Sequence, residues 1–236
     1  MSKGFSIDVV NKKCVSPVCR GSYVNLLEAR PLPQSDTLAW GMQCIFPKDD
    51  VVNRWREEVK KVYYQVLLDK FGQDEKKAMK LFKSFTAKGS FPLRDGDDEE
   101  ETSELKNAEH LEGCYFMSAN NRFNQPHIIG AMGKPVDPET LTPDDIYSGA
   151  WYRCMLEFWY YDTAGNKGIS TSLVAVMKVK DDSNMGSGTT VKEASSAFSG
   201  FVSEAADMMT VDEDEDEGVG GEEEEKSDDD DFDFLT

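Results

Sequence analysis

The chain has 236 residues, 45 acidic against 26 basic, for a net charge of −19. Taken whole, that charge argues against a polyanionic partner, because like charges repel over the reach of a screened field. No run of about 18 apolar residues and no basic-then-apolar leader is present, which excludes a membrane span and a secretory signal as expectations. Five scattered cysteines, Cys14, Cys19, Cys44, Cys114 and Cys154, fit a reducing compartment.

The N-terminal stretch to about Arg20 carries Lys3, Lys12, Lys13 and Arg20 with little periodicity, and reads as a basic arm or a poorly formed first strand. Tyr23 to Ala29 and Leu38 to Phe46 have strand character, separated by a Pro-containing loop at Arg30 to Asp36. A helix follows, capped by Asp49 or Asp50. Val52, Trp55, Val59, Val62, Tyr63, Val66 and Leu67 recur at three- and four-residue steps, and Gly72 stands where a C-terminal glycine belongs. A shorter helix over Glu75 to Phe85 places Ala78, Leu81, Phe82 and Phe85 on one side.

Asp95 to Leu111 is acidic and without apolar period, which predicts an exposed loop. Strands resume at Cys114 to Asn121 and His127 to Ala131, followed by a Pro-rich turn segment from Lys134 to Asp144. Gly149 to Asp162 and Gly168 to Lys180 then flank Thr163-Ala164-Gly165-Asn166, a Gly-containing turn of hairpin length. A short helix around Glu193 to Phe201 closes a single domain, residues 1–203.

Residues 204–236 hold 17 of the 45 acids and one lysine. That density leaves too little apolar surface to offset the entropy of ordering, so a disordered acidic tail is expected. Its charge also masks the domain. The tail accounts for −16, and the acidic loop about 95–112 for nine acids and one lysine; what remains is net positive, at +5. Phe232, Asp233 and Phe234 end the tail on two rings. Three readings stand side by side: a solubility device, an intramolecular mimic lying on a basic face, and a docking peptide with apolar anchors.

Strand, helix, strands with long connections and a final hairpin predict a mainly β fold: a small, partly open β-barrel of the OB-fold type with one long inserted helix. A sandwich with a docked helix gives nearly the same pattern. Alternation sorts the hairpin into two faces. Tyr152, Cys154, Leu156, Phe158 and Tyr160 form the interior, whereas Trp151, Arg153, Met155, Glu157, Trp159 and Tyr161 look outward. On the partner strand Leu173, Ala175, Met177 and Val179 share one side. Ser170, Ser172, Val174, Val176, Lys178 and Lys180 share the other, so Lys178 and Lys180 are expected to join the aromatic face. The earlier strand adds Tyr115, Asn121 and Phe123 on one parity, with Arg122 beside them.

Rings and cations on one sheet face are what sequence-tolerant single-strand binding requires, since rings stack on bases and Lys or Arg neutralises phosphates. Tyr115, Phe123, Trp151, Trp159 and Tyr161 are the stacking candidates, and Arg122, Arg153, Lys178 and Lys180 the phosphate contacts. Enzyme constellations are weak. His110 and His127 lack partners spaced for a metal or a triad, Cys14 and Cys19 lack a second ligand pair, the acidic runs lack the glycine turn of a calcium loop, and Gly218 to Gly221 lacks the lysine of a phosphate loop. No catalytic residue, metal or cofactor is therefore expected.

The ordered landmarks resemble a known family, the acidic-tailed OB-fold single-stranded DNA-binding proteins of tailed bacteriophages. Trp40-Gly-Met-Gln-Cys-Ile-Phe-Pro-Lys-Asp-Asp50 resembles its second strand and helix, Ser90-Phe-Pro-Leu-Arg-Asp-Gly-Asp97 the segment before its variable loop, and Gly113-Cys-Tyr-Phe116 a strand bearing a stacking ring at Tyr115. Tyr147-Ser-Gly-Ala-Trp151, Phe158 to Asp162, and Asn166-Lys-Gly-Ile-Ser170 with Leu173 resemble its closing hairpin, with a second stacking position near Trp159. The terminal Asp-Phe pattern matches the family's tail, except that Leu235 and Thr236 follow the last Phe. The resemblance implies a replication and recombination accessory protein in the host cytoplasm. It would coat single-stranded DNA, remove hairpins, and recruit DNA polymerase or other replication proteins through the tail; a homodimer stays open. The competing expectation is a protein-interaction or chaperone-like protein whose acidic tail engages basic clients without binding nucleic acid.

Overall fold

The computed structural model describes residues 4–33, 35–103, 105, 108–130, 132–163, 166–186 and 191–202. The acidic tail, with Phe232, Asp233 and Phe234, lies outside the described residues. The chain divides into two units, Met1–Val191 and Lys192–Thr236. No helix among the described residues is long and apolar enough to cross a membrane.

The first unit is built on a nine-stranded sheet: β1 (Ser6–Asp8), β2 (Lys13–Pro31), β3 (Leu38–Pro47), β4 (Arg94–Asp95), β5 (Cys114–Asn121), β6 (His127–Ile129), β7 (Pro135–Val136), β8 (Trp151–Thr163) and β9 (Asn166–Lys180). The strands run in the order β4-β5-β3-β2-β8-β9-β6-β7, with β1 pairing to β2. The sheet curls until β5 lies alongside β9, where Asn121 Nδ2 donates to the Leu173 carbonyl at 3.2 Å. Of the two readings of the stretch up to Arg20, the basic arm is overturned and the strand is found, well formed rather than poorly: β2 starts at Lys13 and pairs with both β3 and β8. Periodicity missed it because the register shifts between Val15 and Val18, across Ser16 and Pro17, and interrupts the alternation.

Helix α1 (Asp50–Lys70) starts where expected, with the Asp49 carboxylate accepting from Val52 N at 2.7 Å. Its buried residues are the seven of the apolar stripe. They meet the inward side chains of the curled sheet: the Phe46 and Trp55 rings lie 4.7 Å apart, and Tyr63 meets Phe158 edge-on at 5.1 Å. Gly72, with φ +59°, and Gln73 lie in the left-handed region and turn the chain out of α1. Helix α2 (Glu75–Ala87) packs back on α1, with Phe91 against Tyr63 and Phe82.

The interior of the hairpin is as expected at Tyr152, Cys154, Leu156 and Phe158, all buried, while Tyr160 is half-buried. The partner strand departs from simple alternation. Met155 opposes Ala175 but Leu156 opposes Leu173, and Trp151 opposes Lys180 but Tyr152 opposes Lys178. Val174 and Val179 are therefore extra residues, and each bulge reverses the parity beyond it. Leu173 and Val176, expected on opposite sides, are both buried.

The acidic segment is not a bare loop. It contains α3 (Glu99–Thr102), a 3-10 turn at Ala108–Leu111 and the edge strand β4. Leu105, Ala108 and Leu111 form an apolar cluster with Ile45 and Phe116, on the side of the sheet away from the main core. The second unit, described by itself, shows α4 (Val191–Phe198) and a 3-10 turn (Ser199–Phe201), close to the helix expected there.

Candidate nucleic-acid interface

Residues directly opposite in an antiparallel pair share a face. That rule assembles one row across six strands: Arg94 opposes Phe116, Phe116 opposes Ile45, Ile45 opposes Arg20, Arg20 opposes Trp151, and Trp151 opposes Lys180. Both ends of the row are cations over rings. The Arg94 guanidinium lies 4.5 Å from the Phe116 centroid and the Lys180 ammonium 4.7 Å from that of Trp151. Arg20 and Arg94 were missed by sequence reasoning. Neither belongs to the hairpin that carries the obvious rings, and only strand pairing brings them into line.

The chain leaving β9 crosses this row. Trp151 Nε1 donates to Asp182 Oδ2 at 2.6 Å, and Arg20 Nη2 donates to the Ser183 carbonyl at 3.1 Å and its hydroxyl at 2.8 Å. The indole hydrogen bond, aided by the Ser183 amide and by Arg20 and Lys180, holds the Asp182 carboxyl below its usual range. An acidic segment thus occupies donors that would suit a phosphate.

Toward the hairpin tip the same outward face carries Trp159 and Tyr161, 6.2 Å apart and steeply inclined. Trp159 is 46% exposed and tethered by Nε1 to Ser172 Oγ at 3.1 Å. Tyr161 lies over Gly168, where an added Cβ would come within 2.6 Å of its hydroxyl oxygen and 2.8 Å of two ring carbons. The glycine therefore makes room for the ring. A groove runs on from Tyr161 along Ser170 and Thr171 to Ser118 and Arg94.

The other expected residues divide. Phe123 is 88% exposed and Arg122 is exposed beside it, beyond the end of β5. Tyr115 is not an open platform. Its ring is buried, with Lys48 and Arg56 at 4.9 and 4.6 Å from the centroid, and its hydroxyl donates to Asn53 Oδ1 at 3.2 Å. It points into the core beside Phe46 because β5 turns its odd residues inward. Arg153 is likewise committed: its Nη1 donates to the carbonyls of Gly4 and Ser16 and so holds the N-terminal segment. Lys178 is separated from Lys180 by the Val179 bulge. It shares the side of Tyr152, lies 5.4 Å from the Tyr147 ring and pairs with Asp181 at 2.9 Å. His127 and His110 are exposed.

The outer face of the curled sheet thus combines rings and cations, exposed at Trp159 and Lys180, half-buried at Trp151 and Tyr161, and covered at Phe116 and Ile45 by Leu105, Ala108 and Leu111. Comparison with known proteins gives the family. Residues 12–212 match the family described as Enterobacter phage Enc34, ssDNA-binding protein. The chain belongs to that family, and is a phage single-stranded DNA-binding protein rather than an enzyme. Its fold is similar to the solved single-stranded DNA-binding protein of bacteriophage Enc34 in complex with ssDNA, at 18% identity and TM-score 0.58, over 75% of this chain and 91% of that one. The same phage protein solved alone is 19% identical, with TM-score 0.56 over 78% and 90% of the two chains. A C-terminally truncated form is 17% identical, with TM-score 0.58 over 78% and 94%. No curated protein sequence matches.

Proposed function

We propose that this protein coats single-stranded DNA without sequence preference during phage DNA replication and recombination in the host cytoplasm, on a domain spanning residues 1–203. The observation that carries the proposal is the outward row and its continuation: Arg20, Trp151 and Lys180 across three strands, then Trp159 and Tyr161 along β8. Bases stack on the open rings and phosphates meet the cations, a combination with no hydrogen-bond code for base identity. Trp159, Tyr161, Trp151 and Phe123 are the stacking residues, and Lys180, Arg122, Arg20 and Arg94 the phosphate contacts. Tyr115, Arg153 and Lys178 hold the scaffold in the DNA-free form.

The circuit β2-β3-β5-β9-β8 supports reading the curled sheet as an OB-type barrel. The Enc34 protein, solved with ssDNA, has a similar fold, which supports placing DNA on this barrel. The acidic tail competes with DNA for the cationic row and docks replication proteins such as DNA polymerase through Phe232, Asp233 and Phe234. The hydrogen bond from Trp151 to Asp182 supports this reading, since it already sets a carboxylate against the row.

Filter binding of oligo-dT against matched duplex and mixed-sequence single strands tests the central proposal. Retention of all single strands with a steep salt dependence is expected. Failure to retain any single strand at low salt, with capture of basic proteins instead, would replace it with the chaperone-like alternative.

A further inference from the structure

Cys19, Cys44 and Cys154 come from three neighbouring strands, β2, β3 and β8, and meet inside the barrel. The Cys19 and Cys44 sulfurs each lie 3.8 Å from Cys154 Sγ, and all three ligand atoms fall within 4.8 Å of one another. All three side chains are fully buried. The Met42 thioether is a fourth sulfur, 4.0 Å from Cys154 Sγ. Ser16 Oγ accepts from the Cys154 amide at 3.1 Å and steadies the centre of the group.

Packing alone does not require this. A barrel interior is filled as well by Val or Ala, and four sulfurs from three strands make an unusual choice beside Leu156, Leu173 and Val176. The spacing does have a chemical meaning. Sulfurs about 2.3 Å from a central ion stand about 3.8 Å apart when tetrahedral and about 4.0 Å when trigonal. Thiolate and thioether ligands select thiophilic d10 cations over the hard ions that prefer oxygen.

We propose that Cys19, Cys44 and Cys154, with Met42 as a weak fourth ligand, form a structural site for a thiophilic d10 cation, Zn2+ or Cu+, that cross-braces β2, β3 and β8. Coordination releases the three thiol protons to solvent as the chain folds and leaves three thiolates whose charge the ion offsets in part, with Zn2+ offsetting more of it than Cu+. Because no ligand is exposed, the ion enters during folding and exchanges slowly afterwards. The site lies on the inner side of the strands whose outer side carries Arg20 and Trp151, so its role is to fix their register. It does not contact DNA.

The test uses the full-length chain, purified without chelator and also refolded from denaturant under reducing conditions with Zn2+, Cu+ or Cd2+. Metal analysis should find one ion per folded chain, and Cd2+ or Cu+ loading should add a thiolate-to-metal charge-transfer band in the near ultraviolet. Refolding with chelator should lower the melting temperature. Cys154→Ser and Cys44→Ser should lose the ion, whereas Cys114→Ser and Cys14→Ser should keep it. Should the triad variants fail to fold, the wild-type chain still decides, since Co2+ loading gives visible bands diagnostic of sulfur coordination. A wild-type chain that folds without retaining Zn2+, Cu+, Cd2+ or Co2+, or a mass deficit showing a disulfide among the triad, overturns the proposal. Retention of Cu+ alone or Zn2+ alone identifies the native ion.

Discussion

Replacing Trp159 with alanine is the sharpest probe of the outward face. The ring is 46% exposed, its indole nitrogen is held by Ser172 at 3.1 Å, and Tyr161 stands 6.2 Å away. About half of a ring of roughly 250 Å² is covered; at about 25 cal/mol per Å² its removal costs the fold at most about 3 kcal/mol. That is within the reserve of about 5–15 kcal/mol typical of a domain, so the variant folds. Base stacking contributes about 1–3 kcal/mol per base, so affinity for a short oligo-dT falls by a factor of about 5 to about 150. The assay is tryptophan fluorescence titrated with oligo-dT. Of the remaining tryptophans Trp55 is fully buried, while Trp40 and Trp151 are half-buried and Trp151 belongs to the same stacking set, so the quenching on binding should fall with Trp159 to the share that Trp151 contributes. An unchanged dissociation constant and undiminished quenching, in a variant whose circular dichroism and melting match the parent, would refute the placement of DNA on this face.

Three further outcomes are expected. Lys180→Ala should weaken binding evenly across sequences and make the slope of log K against log salt shallower by about 0.7, the effect of one lost phosphate contact on a single strand; equilibrium titrations at several salt concentrations measure it, and an unchanged slope removes Lys180 from the contact set. Asp182→Ala frees the Trp151 indole and removes a carboxylate beside Arg20 and Lys180, so DNA affinity at low salt should rise and the gain should shrink as salt increases; equal affinity at low salt shows that this contact does not compete. Deleting residues 204–236 should likewise tighten binding at low salt while abolishing capture of the replication partner in a pull-down, and loss of capture without tighter binding would separate docking from competition.

The two helices and most strands are legible in the sequence because their signals are local. The stripe from Val52 to Leu67 sets the period of α1, and the alternation from Trp151 to Thr163 is that of an unbroken strand, so the outward positions of Trp159 and Tyr161 are read correctly. The misses lie where the chain departs from its period. Val174 and Val179 each add a residue to β9, and nothing in their type marks a bulge, so Lys178 is assigned to the wrong face. Arg153 and Lys180 are indistinguishable as cations on odd and even strand positions, yet one is consumed by the carbonyls of Gly4 and Ser16. The rest of the row is invisible for a different reason. Arg20, Ile45, Phe116 and Arg94 are far apart in the chain, and their alignment exists only after four strand pairings are known.

The extra residue at Val179 makes the end of β9 depend on how its backbone pairs, not on side-chain identity alone. Removal of the valine would leave the charge map as it is, because Lys178 and Lys180 would become neighbours and alternation would keep one opposite Tyr152 and the other opposite Trp151. Drawing the valine into the ladder would do the opposite: it would take the place opposite Trp151 and send Lys180 to the reverse side. The bulge is thus what keeps a lysine over the Trp151 ring, and a change of pairing there would move a cation between two surfaces with no change of residue type.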